Sequence, residues 1–437
     1  MKLYPYQQEG VKRIKEFGGR ILLADDMGLG KTIQALTYLQ QTPKAKPAIV
    51  VCPASVKFVW EQEATLAGYK QIKVLNGQTP SKIPTDMDLV ILNYDILQHW
   101  LPILKQFKAK TIIFDEAHFL KNMRSKRYAA AKQLSKRIPY ILALSGTPIT
   151  NRPAEFWPVL NMLRPKFYPA FWPFAETYCN LKKGYWGWDW SGATNIDDLN
   201  KNLIEQVMIR RRKEDVLKDL PAKQRRVVPC ELEHPSEYKK AVTDFRQQLN
   251  SQGGQSAVGL VMVGSLLRLA AELKIKAAVR WIDEHLESTD GKLVVFAKHH
   301  KIIDALREKC QCKSVQLDGR MSQKEREVSV MEFQHSNIRL FIGNIQAAGV
   351  GITLTAASTV AFAELDWVPG NMMQAEDRCH RIGQKSTVWV NYLIAKNTIE
   401  ESVCRVLRKK QDVVSRTVDG ETQDKFDIFQ EILGELK

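Results

Sequence analysis

Residues 22–36, LLADDMGLGKTIQAL, place two glycines, a lysine and a threonine where an apolar run meets a helical pattern. Glycine at positions 28 and 30 lets successive backbone N–H groups converge on a phosphate with no Cβ in the way. A helix opening there adds the positive end of its dipole. Lys31 is then set to reach the β- and γ-phosphates of a nucleoside triphosphate, and the hydroxyl of Thr32 to ligate Mg2+. Asp25 stands where such loops usually carry their first glycine, so an ordinary strand-to-helix turn is the competing reading of this stretch alone.

A second stretch, TIIFDEAH (111–118), ends an apolar strand in adjacent carboxylates. Asp115 can hold Mg2+ through water while Glu116 polarises an attacking water. Paired acids at a strand end are common surface features; after a glycine–lysine loop in an α/β domain they become specific. A third stretch, QAEDRCHRIGQ (374–384), sets Arg378 and Arg381 three apart on one helical face. Arginines donated from another domain neutralise charge developing on a γ-phosphate, and a solvated basic helix is the plainer alternative. The three stretches together imply ATP hydrolysed when two domains close. Lys31, Thr32, Asp115, Glu116, Arg378 and Arg381 are the residues expected to carry that reaction.

Such groups need strands to hold them. Short runs rich in Ile, Leu and Val at 20–24, 48–52, 88–92, 111–115 and 140–145 alternate with helical patterns, the signature of βαβ units around a parallel sheet. The alternation returns at 292–297, 314–318, 339–343, 359–365 and 388–394. Between them, stretches dense in aromatics and proline, such as RPKFYPAFWPFAETYC and GYWGWDWSG, lead into helical patterns broken at 250–259. The expected organisation is a first sheet domain over 1–160, helical and aromatic-rich insertions with a linker over 161–290, a second sheet domain over 291–400, and a helical tail over 401–437.

With 437 residues the chain is long enough for two to three compact units, and 44% hydrophobic against 26% charged residues marks it as globular. The 64 basic and 48 acidic residues give a formal charge of +16, which favours a polyanionic partner, nucleic acid before an anionic membrane surface. No stretch is long and apolar enough to cross a bilayer, and the N-terminus lacks a signal-type apolar core. The seven cysteines lack zinc-type spacing and read as free, mostly buried thiols in a reducing, cytosol-like compartment.

The ordered series LYPYQQEG, LADDMGLGKT, VVCPASVKFVW, DEAH with LKN, SGTPITNRP, RRRKEDVLKDLPAK, LDGRMSQKERE, AAGVGITLT, WVPG and QAEDRCHRIGQ resembles the Snf2 family of superfamily 2 DNA translocases over nearly the whole chain. WGWDWSG followed by LPAKQRRVV, and ITLTAASTVAFAELDWVPG, are most similar to the compact annealing-helicase branch of that family. The resemblance implies an α/β fold of two RecA-like P-loop lobes with parallel sheets, plus helical insertions between and on the lobes. It also implies ATP and Mg2+ as cofactors. Gln7 would contact adenine, with Tyr6 and Gly10 alongside. Ser145 and Thr147 would couple hydrolysis to domain movement. Gly349, Gly351 and Thr353 would form a loop touching nucleotide and DNA backbone, and Gln374 would lie near the γ-phosphate. Asn344-Ile345 stand where the family loop usually has Ser-Thr, a departure that bears on that loop's DNA contact.

The implied activity is a DNA-dependent ATPase motor that translocates on DNA and remodels duplex or branched DNA, in repair or replication, holding mainly the phosphate backbone. Three alternatives stand beside it: a strand-separating or branch-migrating helicase on the same core, a remodeller displacing proteins from DNA, and an ATP-gated DNA clamp without productive hydrolysis. Arg211 and Arg212 of RRRK (210–213) would join the phosphate-contacting surface, or else form a solvated charge run. Trp186, Trp188 and Trp190 fit packing on the helical insertion better than base stacking; if they stack, they would wedge a fork. A monomer with no membrane partner is expected, and the chain's small size points to a bacterial or phage-infected cytoplasm rather than a eukaryotic nucleus.

Overall fold

The computed structural model describes residues 3–148, 152–184, 187–251, 256–348 and 351–420. Its contacts divide the chain into two units. One runs to Asp219 and takes in residues 411–420, and the other spans Leu220–Lys410.

The first unit is built on β1 (Arg20–Leu23), β2 (Ala48–Cys52), β3 (Ile72–Val74), β4 (Leu89–Asn93), β5 (Thr111–Asp115) and β6 (Tyr140–Leu144). A small antiparallel hairpin, β7 (Lys182–Gly184) with β8 (Gly187–Asp189), lies outside this sheet, and β9 (Met208–Ile209) closes its edge. The order is β3-β4-β2-β5-β6-β1-β9, all parallel. Strands β2, β4 and β5 have almost no exposed residue because helices cover both faces, which is why they read as continuous apolar runs. Strand β6 lies between β5 and β1, so the loops after these three strands emerge side by side at one edge of the sheet.

The second unit carries β10 (Lys223–Cys230), β11 (Lys292–Ala297), β12 (Ser314–Leu317), β13 (Leu340–Asn344), β14 (Ala357–Phe362) and β15 (Val388–Ala395), in the order β10-β15-β14-β11-β13-β12. This sheet is also parallel throughout. Alternate residues of β11 feed opposite cores, Val294 and Phe296 into one, Leu293, Val295 and Ala297 into the other. That is the period-2 geometry of a sheet buried on both faces.

All ten strands expected from the sequence are present. The interval expected to be separate helical insertions, 161–290, is divided differently: residues up to Asp219 pack with the first sheet and add β9, while β10 joins the second. The closing helix, Ile399–Asp419, is likewise no detached tail, since Arg210 bonds Asp419 (2.7 Å) and Asn200 donates to Thr417 O (3.0 Å) within the first unit. None of the described helices is long and apolar enough to cross a membrane. All seven cysteines are free thiols, Cys312 half-buried and the others buried.

Candidate active site

In the first unit the loop after β1 turns through Gly28 (φ 82°) and Gly30 (φ 74°) into helix Lys31–Gln41. Both glycines sit in the left-handed region that side-chain-bearing residues rarely adopt. A Cβ on Gly30 would also stand 2.5 Å from Gln7 Nε2. Gln7 is buried here, its Nε2 donating to Leu29 O (3.2 Å) and its Oε1 accepting from Tyr4 N (3.0 Å). The glutamine therefore braces the backbone of the glycine loop, and its expected contact with adenine is not tested by this geometry. Lys31 Nζ donates to Asp25 O (2.7 Å) and Asp26 O (3.2 Å), and burial lowers its pKa against the opposing pull of Glu116 and Asp25.

The carboxylates stand two strands away. Asp115 ends β5, its Oδ2 accepting from Trp60 Nε1 (2.8 Å), its Oδ1 from Glu116 N (3.0 Å) and its carbonyl from the Tyr94 hydroxyl (2.7 Å). Glu116 follows at φ 50°, a left-handed conformation that costs a non-glycine residue about 1 kcal/mol or more and turns the chain sharply off the strand. Glu116 Oε2 lies 3.2 Å from His118 Nδ1, which lies 3.2 Å from Ser145 Oγ. Ser145 Oγ also reaches Glu116 Oε2 at 3.5 Å and accepts from Thr147 N at 3.3 Å. The acids and the Ser-Gly-Thr segment after β6 thus form one hydrogen-bonded group. Gly146 closes the circle: a Cβ there would meet Met27 Cγ at 2.5 Å and Lys31 Nζ at 3.3 Å.

Burial, reinforced by Glu116, raises the Asp115 carboxyl from 3.8 to about 6, while Trp60 and Lys31 pull the other way. A raised acid favours the fold in its protonated form. Its contribution is full below pH ~4 and is lost as pH rises through ~6, a swing of about 3 kcal/mol. Thermal melts of the nucleotide-free protein should therefore show a fall in stability between about pH 4 and 6 that is missing from Asp115→Asn. Identical pH profiles for the two proteins would contradict the raised carboxyl.

Asp25, the departure from the usual loop, is explained by Arg211. Asp25 is fully buried, and Arg211 grips it with two bonds, Nη2 to Oδ2 (2.5 Å) and Nε to Oδ1 (3.0 Å). Gln34 Nε2 donates to Asp25 Oδ2 (3.1 Å), Arg211 Nη2 to Gln34 Oε1 (2.7 Å), and Arg211 Nη1 to Tyr6 O. Gly10 gives room for this network, since a Cβ there would collide with Gln34 Oε1. Arg210 does the same for Asp26 (2.7 Å). The expected phosphate-contacting role of Arg211 is thus corrected: its guanidinium is an internal tie to the nucleotide loop. Arg212 bonds Glu214 and Asp215, both at 3.1 Å, which places acids at that surface.

In the second unit Gln374 is buried on helix Pro369–Glu376. Arg378 and Arg381 converge on the loop beyond Gly351 (φ 78°): Arg381 Nη1 donates to Thr353 Oγ1 (2.9 Å) and Ile352 O (3.2 Å), and Arg378 Nη1 to Ile352 O (3.4 Å). Gly349 and Trp186 lie outside the described residues. Asn344 replaces the usual hydroxyls by capping: its Oδ1 accepts from Gln346 N (3.0 Å) and Ala347 N (3.1 Å), and its Nδ2 donates to Lys298 O (2.6 Å). Glu376 anchors the arginine segment. It is fully buried, bonded by Arg225 (2.6 Å), Lys223 (2.9 Å) and the Tyr392 hydroxyl (2.6 Å). Burial alone would raise it, but Arg225 and Lys223 hold it down to about 2.

Sequence reasoning missed Trp60, Tyr94, Gln34 and Glu376. Trp60 had a visible signal, an indole five residues past a Pro-Ala-Ser turn, but nothing local tells which strand end it faces. Among the described residues no group of three or more His, Cys, Asp or Glu could hold a metal by itself.

The pattern of the SNF2-related domain matches residues 6–311, and that of the helicase conserved C-terminal domain residues 274–383. SWI/SNF-related matrix-associated actin-dependent regulator of chromatin subfamily A-like protein 1 of Xenopus laevis is 38% identical over 427 residues, covering 95% of this chain and 44% of that protein. Its homolog in Caenorhabditis elegans is 38% identical, with 95% and 62% covered. The DNA annealing helicase and endonuclease ZRANB3 of Homo sapiens is 33% identical, with 96% and 41% covered. The chain thus spans about half the length of the curated relatives it matches. A solved Sulfolobus solfataricus SWI2/SNF2 ATPase core in complex with dsDNA is 27% identical, covers 100% of this chain and 96% of its own, and superposes with a TM-score of 0.48.

Proposed function

Because the chain belongs to the SNF2-related domain family, we propose that it is a DNA-dependent ATPase motor that moves along DNA and remodels duplex or branched DNA. The observation that supports this most is the meeting of Lys31, Asp115, Glu116 and Ser145 at the ends of three adjacent strands, β1, β5 and β6. Bound Mg2+ and ATP supply the phosphoryl group and the divalent charge that screens it. The residues do the rest. Lys31 would leave the carbonyls of Asp25 and Asp26 to meet phosphate, and Thr32 and Asp115 would hold the cation. Glu116 would take the proton of the attacking water, and the role proposed for Arg378 and Arg381 is to offset the charge that develops. Ser145, bonded to Glu116 and to Thr147 N, passes the state of the site to the segment after β6.

The track is read as DNA from the family and from relatives that include a DNA annealing helicase. Those named relatives are animal proteins, so the bacterial or phage setting inferred from length gains no support, and a nuclear one is equally compatible.

The test is steady-state ATP hydrolysis with no nucleic acid, single strand, duplex, fork, four-way junction and duplex RNA. Stimulation by duplex, fork or junction DNA well above that by RNA is the expected result. A rate indifferent to every nucleic acid would overturn the motor reading.

A further inference from the structure

The hairpin β7–β8 and the helix Phe171–Tyr178 carry an arrangement that ATP hydrolysis does not use. A chain of aromatic rings runs from the core of the first unit to its surface. It starts at buried Trp157, 5.7 Å from Phe171 and near-perpendicular to it (76°). Phe171 meets Trp190 at 5.6 Å and 83°. Trp190 meets Trp172 at 5.9 Å and 86°, and Trp172 meets Trp188 at 6.2 Å and 62°. Edge-to-face contacts of this kind are favourable for each pair, so the ladder is fixed by its own packing from the buried end. At its outer end Trp188 is 50% and Trp172 48% exposed.

Trp190 thus follows the packing expectation and Trp188 does not, and Trp172, for which the sequence raised no expectation, is half-exposed beside it. Leaving two indoles half in water forgoes burial of large apolar surface, while anchoring them removes the side-chain entropy that a binding partner would otherwise have to overcome. Lys183 pairs directly with Trp188 across the hairpin, so the two share a face. Lys182 is exposed on the opposite face, across from Asp189, whose carboxylate accepts from Ser191 N at 2.9 Å.

We propose that Trp188 and Trp172 form a stacking platform for unpaired nucleobases, with Lys183 taking the adjoining phosphate, so that this motor grips single-stranded DNA where it leaves a duplex. The inference rests on the DNA-motor reading for its ligand. The chemistry is that of single-strand recognition: flat rings accept any base, and one cation beside them tracks the backbone without reading sequence. A duplex offers no free base face to these rings, so the platform adds selectivity for branched DNA over blunt duplex.

The experiment uses the full chain as wild type, Trp188→Ala, Trp172→Ala, Trp188→Phe and Lys183→Ala. Fluorescence anisotropy is read with a labelled oligo-dT, a forked duplex with single-stranded arms and a blunt duplex, alongside ATP hydrolysis stimulated by blunt duplex. Trp188→Ala and Trp172→Ala should each weaken oligo-dT and fork binding by about 10-fold, with blunt-duplex binding and ATPase unchanged. Trp188→Phe should retain most of the binding. Lys183→Ala should lower the slope of log Kd against log salt for oligo-dT by roughly 0.7. Unchanged oligo-dT and fork binding in both alanine variants would overturn the proposal and leave this face to a protein partner. Equal losses on all three ligands and in ATPase would overturn it too. Wild-type ATPase indifferent to every DNA would instead sink the motor reading, while oligo-dT binding that still depends on Trp188 would sustain the platform by itself.

Discussion

Glu116→Gln should lower ATP turnover by about 10^2- to 10^4-fold while leaving ATP binding close to that of the wild type, because it removes a proton acceptor and little else. The amide keeps the size of the side chain and can still accept from Ser145 and His118, which lie 3.5 and 3.2 Å from Oε2. The left-handed backbone at φ 50° is no worse for glutamine than for glutamate. Single-turnover hydrolysis and equilibrium binding of a fluorescent ATP analogue separate the two quantities. A variant that binds and hydrolyses normally would remove Glu116 from the chemistry. One that no longer binds would make it a nucleotide-positioning residue.

The second large effect concerns stability. Arg211→Ala strands the carboxylate of Asp25, which is fully buried and takes two bonds from that guanidinium. Breaking a buried pair from one side costs about 3–5 kcal/mol. Arg211→Lys should recover only part of it, since an ammonium cannot reproduce the planar two-bond grip together with the bond to Gln34. The double variant Asp25→Ala/Arg211→Ala removes both charges and should recover much of the loss, so a double-mutant cycle by denaturant unfolding isolates the pair. If Arg211→Ala left stability unchanged but weakened DNA binding in a salt-dependent way, the phosphate-contacting role expected from the basic run would return.

The contrast between those two residues shows what a sequence can and cannot disclose. The strands at 48–52, 111–115 and 292–297 were legible to the residue, because a sheet buried on both faces demands short Ile, Leu and Val runs bounded by turns. The glycine–lysine loop after β1 and the carboxylates ending β5 stood out because their residue types are those that phosphate chemistry needs. Strand β10, KQRRVVPC, was not, since it carries charges and Pro229, which an edge position tolerates and a central one does not. Strand β9 has only two residues and borrows its register from β1. Arg211 looked like a surface cation because its partner lies 186 positions earlier, a proximity no local pattern encodes. Glu376 is the same case: nothing in its local sequence points to its partners, Lys223, Arg225 and Tyr392, which come from other elements.

The two bonds from Lys31 Nζ to Asp25 O and Asp26 O give the nucleotide loop its own internal competitor. Under the proposed function, nucleotide entry would be an exchange reaction: the ammonium would release two carbonyl acceptors before serving a phosphate. A ligand with one weakly placed anionic group gains little from such a trade, whereas a triphosphate that also engages the loop amides and the cation repays it several times over. Under the proposed function, such a loop would act as a threshold, answering weakly to stray anions and strongly to a charge-dense ligand.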